Sequence, residues 1–199
     1  MNFLAHLYLA GDDEGLSIGN FIADGVRGKE IDKYPENIQR GIVLHRKIDH
    51  FTDTHPIVKQ TVIKLRETAG KYAPVVSDIV YDHFLAHFWL DYSPVILSNY
   101  AKEKYRFLKK NIRYVPSRMQ ELLHYMIEQN WLVNYAYLEG IATTLRDLSK
   151  RVSFTNNMAD SIIDLKKDYR AFESDFRAFF PELQAFVAFE ISQLQLVTK

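Results

Sequence analysis

The chain has 199 residues, with 25 basic and 25 acidic side chains and a hydrophobic content of 47 %. These values predict one globular domain over residues 1–199, and the zero net charge argues against a nucleic-acid partner. Cysteine is absent, which excludes disulfides, thiolate metal sites and a cysteine nucleophile. We expect a cytoplasmic protein without a membrane partner, because the apolar N-terminus lacks a basic leader and is too short to cross a bilayer.

An apolar period of 3.6 residues runs through most of the chain, and glycine and proline stand at the breaks. This pattern predicts an all-α fold, a single-domain helical bundle. The predicted helices cover about residues 3–8, 17–23, 35–51, 57–67 and 75–90, a basic amphipathic segment between Pro94 and Pro116, residues 119–148 and 158–180, and a final helix opened by Pro181. The segment 119–148 is predicted to form one long helix or two, with Gly140 as the candidate bend.

The segment 41–56, GIVLHRKIDHFTDTHP, is rich in histidine and aspartate. At helical spacing His45 and Asp49 lie one turn apart on the same face, beside an apolar stripe. Pro56 disfavours helical geometry at His55, which leaves Asp53 and His55 on the exit turn. Imidazole and carboxylate groups that converge from a helix and a loop commonly hold a divalent cation.

A second dense segment lies in the helix predicted over 75–90. Asp78 and Asp82 are four residues apart on one face, where like charges need compensation, and His83 is about 100° round the helix from Asp82. Asp24, after the second helix, is a third source of carboxylate. Together they would form a mixed nitrogen and oxygen site for Mn²⁺, Mg²⁺ or Fe²⁺, and also for Zn²⁺, from Asp24, His45, Asp49, Asp82 and His83. Such a site suits phosphoester hydrolysis.

Structural interpretations of the same residues stay open. Asp78 and Asp82 also fit ion pairs with a cation such as Arg46, because buried carboxylates are often paired in this way. His6 fits a ligand or a core histidine equally well. The basic run from Lys102 to Arg118 is either a surface that attracts an acidic partner or a solvated helix face.

Four ordered motifs point to a known family. They are MNFLAHLYLA at the N-terminus, GNFIADGVRG at 19–28, GIVLHRKIDHFTDTHP at 41–56 and DIVYDHFLAHFW at 78–89. The chain resembles the acyl carrier protein phosphodiesterases. This resemblance implies an all-helical, HD-domain-like hydrolase that uses a divalent metal, typically Mn²⁺, to remove 4′-phosphopantetheine from holo acyl carrier protein. The His-Asp dipeptide that names the HD superfamily is absent here, so no ligand set is transferred one to one.

The residue patterns and the resemblance together suggest roles. We expect the metal on the five residues named above, Arg46 or Arg27 on the phosphate oxygens, and Asp53 or His55 orienting the water or protonating the leaving oxygen. The acidic carrier would be steered by Arg27 and Lys29 or by the basic run. Two alternatives remain, namely a phosphohydrolase for a nucleotide or small phosphoester, and a non-catalytic helical module that binds an acidic partner.

Overall fold

The computed structural model describes residues 1–196, with side chains described through residue 194. The last three residues of the predicted 1–199 domain therefore lie outside the described residues. Over that range the chain is built of α-helices and short 3-10 turns without a strand, which confirms the all-α prediction. The helices are α1 Phe3–Leu9, α2 Glu14–Ile22, α3 Glu36–Thr54, α4 Pro56–Ala69, α5 Ala73–His87, α6 Trp89–Tyr92, α7 Leu97–Lys110, α8 Ser117–Glu128, α9 Trp131–Asn134, α10 Leu138–Arg151, α11 Ser161–Lys167 and α12 Tyr169–Leu196.

One buried hydrophobic cluster joins helices from both ends of the described chain, and it includes Leu4, Phe84 and Phe176. The N-terminal and C-terminal helices are thus parts of the same core. Among the described residues, no helix combines the length and the apolar character needed to traverse a bilayer.

The prediction that Pro181 opens a final helix is wrong. Pro181 lies inside α12, which continues to Leu196. An internal proline costs about 3 kcal/mol or more. Phe176 and Phe180 before the proline are fully buried, and so are Leu183 and Val187 after it. Each buried aromatic side chain contributes roughly 1.5–3 kcal/mol, so one continuous apolar face outweighs the missing hydrogen bond.

The predicted bend at Gly140 is also wrong. The chain turns earlier, where Asn130 has a left-handed backbone with a φ of 47° between α8 and α9. A Cβ atom on Gly140 would lie 2.0 Å from the carbonyl oxygen of Asn134. Gly140 is therefore required for the close contact between α9 and α10. The helix predicted over 158–180 divides as well, because α11 ends at Lys167 and α12 begins at Tyr169.

Helices α2 and α3 cross with their backbones in contact, which brings two predicted site segments together. A Cβ atom on Gly19 would lie 2.3 Å from the carbonyl oxygen of Ile38 and 2.5 Å from the Cα atom of Gly41. On Gly41, a Cβ atom would lie 2.7 Å from the carbonyl oxygens of Gly15 and Leu16. Only glycine allows this separation, because backbone atoms cannot move aside as the end of a side chain can.

The crossing gives a stability prediction. We expect Gly19→Ala to lower the free energy of unfolding by about 1–3 kcal/mol, since the added methyl group must push two backbones apart. Urea unfolding measures this change. His50→Ala, at an exposed position on α3, is the control and should change stability by no more than about 0.5 kcal/mol. Equal stability of the two variants would contradict the close crossing.

Candidate metal-binding site

A groove of about 1650 Å³ opens beside the α2–α3 crossing. Asp24, His45, Asp49 and Asp53 line it close to α3, and its walls continue along α5, α8, α9 and α10. Three of the five predicted metal ligands therefore face one cavity. The lining also includes Arg118 at the start of α8 and Arg151 at the end of α10.

Two histidines and one aspartate meet at this end of the groove. Nε2 of His6 lies 3.1 Å from Oδ1 of Asp49, and Nε2 of His45 lies 3.0 Å from Oδ2 of the same carboxylate. The two imidazole rings stack with their centroids 3.9 Å apart. A ligand atom from each of the three residues lies within 4.8 Å of the other two, so this group could hold a metal ion. Asp24 stands at the edge, with Oδ1 3.4 Å from Nε2 of His45.

Asn20 sets the orientation of both rings. Nδ1 of His45 lies 2.9 Å from the backbone oxygen of Asn20, which can only accept, so this nitrogen carries a proton. Nδ1 of His6 lies 3.2 Å from Oδ1 of Asn20, while the Asn20 amide nitrogen donates to the Leu16 carbonyl. The side-chain oxygen is therefore the acceptor for His6. In their neutral forms both imidazoles keep a lone pair on Nε2, directed towards Asp49.

This arrangement needs a positive charge. Nε2 of His45 is buried without a hydrogen bond, because its 3.0 Å approach to Asp49 lacks hydrogen-bond alignment. Burial disfavours the charged ring, but the carboxylates of Asp24 and Asp49 outweigh burial and raise the pKa of His45 to about 9. Burial and the adjacent His45 lower the pKa of His6 to about 4. A divalent cation shared by two nitrogens and a carboxylate meets the same need, so the donor set fits such an ion.

Asp82, which the sequence placed among the ligands, has other partners. Its carboxylate is fully buried and accepts the backbone N–H groups of Asn2, Leu4 and Ala5 at 3.1, 2.8 and 3.4 Å. These amides include donors that the first turn of α1 leaves unpaired. Burial raises the pKa of Asp82 to about 7, although the nearby N-terminal ammonium and these amides oppose the shift. Asp82 therefore fixes α1, and with it His6, rather than facing the groove.

His83 is likewise occupied away from the cluster. Its Nδ1 atom lies 2.8 Å from the carbonyl oxygen of Tyr135 and its Nε2 atom 2.9 Å from the hydroxyl of Tyr169. In the described part of the chain, no hydrogen bond or ion pair joins His83 or Asp82 to His45 or Asp49. We therefore do not retain Asp82 and His83 in the ligand set.

The predicted proton-transfer pair is also separated. Asp53, which the sequence placed on the exit turn, lies within α3 because the helix continues to Thr54. It lines the groove, and burial raises the pKa of its carboxyl group. His55 instead ends α3 and begins α4, where its Nδ1 atom accepts the backbone N–H of Ile57. Its Nε2 atom lies 3.2 Å from Glu182 on α12. Of the two residues, only Asp53 has access to a group bound in the groove.

The predicted phosphate-binding cations lie outside the groove. Arg46 is exposed and donates from Nη2 to the carbonyl oxygen of Val26 at 3.1 Å. Arg27 and Lys29 are exposed on the 3-10 turn that follows α2, and neither lines the groove. The sequence alone could not identify the arginines that line the groove, because it does not show which side chains face the same cavity after folding. For the same reason the sequence left His6 open between a ligand and a core histidine and did not indicate Asn20, although both lie in motifs that carry the family resemblance.

A family model described as acyl carrier protein phosphodiesterase matches residues 1–183. The chain belongs to this family. It is 35 % identical to the acyl carrier protein phosphodiesterase of Photorhabdus laumondii, over 91 % of this chain and 92 % of the relative. It is 33 % identical to the protein of that name from Yersinia pestis and 34 % identical to that from Pectobacterium atrosepticum, each over 92 % of this chain and 95 % of the relative. No solved structure matches the chain.

Membership of the acyl carrier protein phosphodiesterase family agrees with the geometry. A hydrolase of phosphodiesters needs a cavity next to groups that stabilise negative charge. The groove beside His45 and Asp49 supplies such a cavity in this family member. The match over residues 1–183 confirms the resemblance that the sequence motifs indicated.

The structural role of His83 predicts a pH dependence. Burial lowers the pKa of His83 to about 4 from the ordinary value of 6.5. The unfolded chain therefore binds this proton more readily, and the contribution of His83 to stability is complete above about pH 6.5 and lost as the pH falls towards 4. We expect the difference in unfolding free energy between the wild type and His83→Gln to shrink by up to ~3 kcal/mol over that range.

Urea unfolding at several pH values measures this difference. His124→Gln is the control, because His124 is exposed and its difference from the wild type should stay constant. A difference for His83→Gln that does not change with pH would contradict the buried, neutral state of His83.

Proposed function

We propose that this protein hydrolyses the phosphodiester that joins 4′-phosphopantetheine to a serine of holo acyl carrier protein. The products are the apo carrier protein and free 4′-phosphopantetheine. The observation that carries the proposal is the His6, His45 and Asp49 cluster at one end of a long groove, in a chain of this family. A linear prosthetic arm can lie along such a groove while its phosphate reaches the cluster.

We expect this reaction to require a divalent metal ion. His6, His45 and Asp49 would hold it, with Asp24 as a further carboxylate, and Mn²⁺ is the expected ion, with Mg²⁺ or Fe²⁺ as other candidates. Such an ion supplies Lewis-acid chemistry, which activates water and offsets negative charge on phosphoryl oxygens. The identity of the ion follows from the mixed donor set and from the family resemblance.

The protein residues position and protonate the substrate. Water forms a bond to phosphorus as the bond between phosphorus and the serine oxygen breaks. Asp53 lines the groove one helical turn after Asp49, and burial raises the pKa of its carboxyl group. In its protonated form Asp53 would give a proton to the serine oxygen, and the proton lost by water would pass to solvent.

The carrier protein itself would contact an exposed basic surface. Lys102, Arg106, Lys109, Lys110 and Arg113 are exposed along α7 and the turn after it. Lys104 is an exception, because its ammonium group donates to the Gly11 carbonyl and the Ser17 hydroxyl. Opposite charge on the two partners would speed their encounter, and Arg27 and Lys29, which follow Asp24 in the chain, are the alternative basic group for this role.

Mass spectrometry of holo carrier protein tests the activity. We expect incubation with the Mn²⁺-loaded protein to remove the mass of 4′-phosphopantetheine from the carrier. Asp49→Asn should reduce the rate by at least about 100-fold, because one member of the metal-binding group loses its charge. His124→Gln is the matched control and should retain the wild-type rate. An unchanged carrier, with turnover of nucleotides under the same conditions, would establish the alternative phosphohydrolase.

The contact between His6 and Asn20 leads to a prediction about the affinity of the site for a metal ion. Asn20→Ala removes the acceptor for Nδ1 of His6, and partners of this kind typically change metal affinity by 10–100-fold. We therefore expect a loss of about 10- to 100-fold in calorimetric titration with Mn²⁺. Asn99→Ala, at an exposed position on α7, should titrate as the wild type does. Equal affinity of the Asn20 and Asn99 variants would show that the orientation of His6 is set elsewhere.

A further inference from the structure

Two arginines line the groove without a carboxylate partner. Besides His45 and the N-terminal ammonium of Met1, the charged groups of the lining are eight carboxylates and two guanidinium groups, those of Arg118 and Arg151. Within residues 1–194, no carboxylate oxygen lies within 4.0 Å of either guanidinium group, whereas Arg177 has two such partners. An arginine that stays unpaired among carboxylates is free to bind an anion that enters the groove.

Arg118 is at the start of α8, which packs against the segment that carries Asp24. Its neighbour Met119 packs against Gly25, because a Cβ atom on Gly25 would lie 2.7 Å from the Met119 sulfur atom. Pro116, which precedes α8, lies 3.2 Å from the same position. The first turn of α8 is therefore seated on the residue that follows Asp24, and Asp24 is 3.4 Å from His45. Arg118 belongs to the groove wall at the cluster end.

Arg151 reaches the groove from α10. Its guanidinium carbon lies 5.6 Å from the centre of the Trp131 ring, which holds the planar group against an aromatic face. Trp131 is itself fixed, because its indole N–H donates to Gln129 and its ring centre lies 6.4 Å from that of Phe3. Phe3 is one turn before His6 on α1. Arg151 thus approaches the N-terminal end of the helix that carries a candidate metal ligand.

We propose that Arg118 and Arg151 are the residues that bind the phosphoryl oxygens of the substrate in this groove, a proposal that rests on the proposed function. They replace Arg27 and Arg46 in the role that the sequence suggested. A guanidinium group presents two parallel N–H donors to a phosphate, a geometry that lysine cannot reproduce. With the candidate metal ligands on one side, these two arginines would surround a phosphodiester with positive charge.

The lining also indicates which part of the substrate enters. Apart from the two arginines, the walls formed by α8 and α10 present carboxylates such as Glu128, Glu139 and Asp147. These groups repel the acidic surface of a carrier protein, but they do not repel an uncharged chain with amide groups. The phosphate is then the only anionic group admitted, and the two arginines select for it.

Calorimetric titration of the Mn²⁺-loaded protein with 4′-phosphopantetheine and with pantetheine tests this inference. We expect the double variant R118Q/R151Q to bind 4′-phosphopantetheine about 10- to 100-fold more weakly than the wild type, and to bind pantetheine equally well. R118K/R151K keeps the charge and should recover only part of the affinity. R66Q/R146Q, which changes two exposed arginines outside the groove, is the matched control and should bind as the wild type does.

Two results would overturn the inference, namely wild-type affinity of R118Q/R151Q for 4′-phosphopantetheine, or an equal loss for both ligands. Thermal unfolding and metal content of each variant establish that it is folded and loaded. Cleavage of holo carrier protein by the wild type is followed in parallel. If the wild type cleaves the carrier but R118Q/R151Q binds 4′-phosphopantetheine as the wild type does, the inference about the arginines is rejected and the proposed function is retained. If R118Q/R151Q loses affinity only for the phosphorylated ligand but the wild type does not cleave the carrier, the anion site is retained and the proposed function is rejected.

Discussion

The backbone contact between α2 and α3 is the constraint on which the candidate site depends. Gly19 and Gly41 allow the two helices to approach until a methyl group no longer fits between them. At this distance the carbonyl oxygen of Asn20 reaches the His45 ring, and Asp24 comes beside it. A wider crossing would leave His45 free to rotate, because its Nδ1 atom would lose its acceptor. The close crossing of α2 and α3 is therefore also what fixes the orientation of the His45 ring.

The second requirement is the position of α1, which contributes His6. A helix of seven residues has little stability of its own, since nucleation is costly and few hydrogen bonds follow it. Asp82 compensates by accepting N–H groups at the start of α1 from within the core. A buried carboxylate is expensive to desolvate, and three donors offset that cost. The residue serves the site indirectly, by holding in place the helix that supplies one of its imidazoles.

Local sequence patterns predicted much of this molecule. The helical period gave the all-α class, Pro56 correctly ended α3 before His55, and the spacing of His45 and Asp49 placed both on one face. The predictions that failed were those that depend on tertiary contacts. Asp82 and His45 look equivalent as polar residues on amphipathic helices, yet one faces the core and the other a groove. The prediction that Pro181 opens a new helix failed for a related reason. The preference of proline for the first turn of a helix does not take into account the apolar residues that α12 buries on both sides of Pro181.

The contact of Gly140 with the carbonyl of Asn134 has a consequence for how the groove receives a substrate. Because α10 rests directly on the backbone of α9, these two helices cannot move apart or together without losing this contact. The part of the groove wall that they form is therefore in place before any substrate binds, and binding does not have to supply the free energy to assemble it.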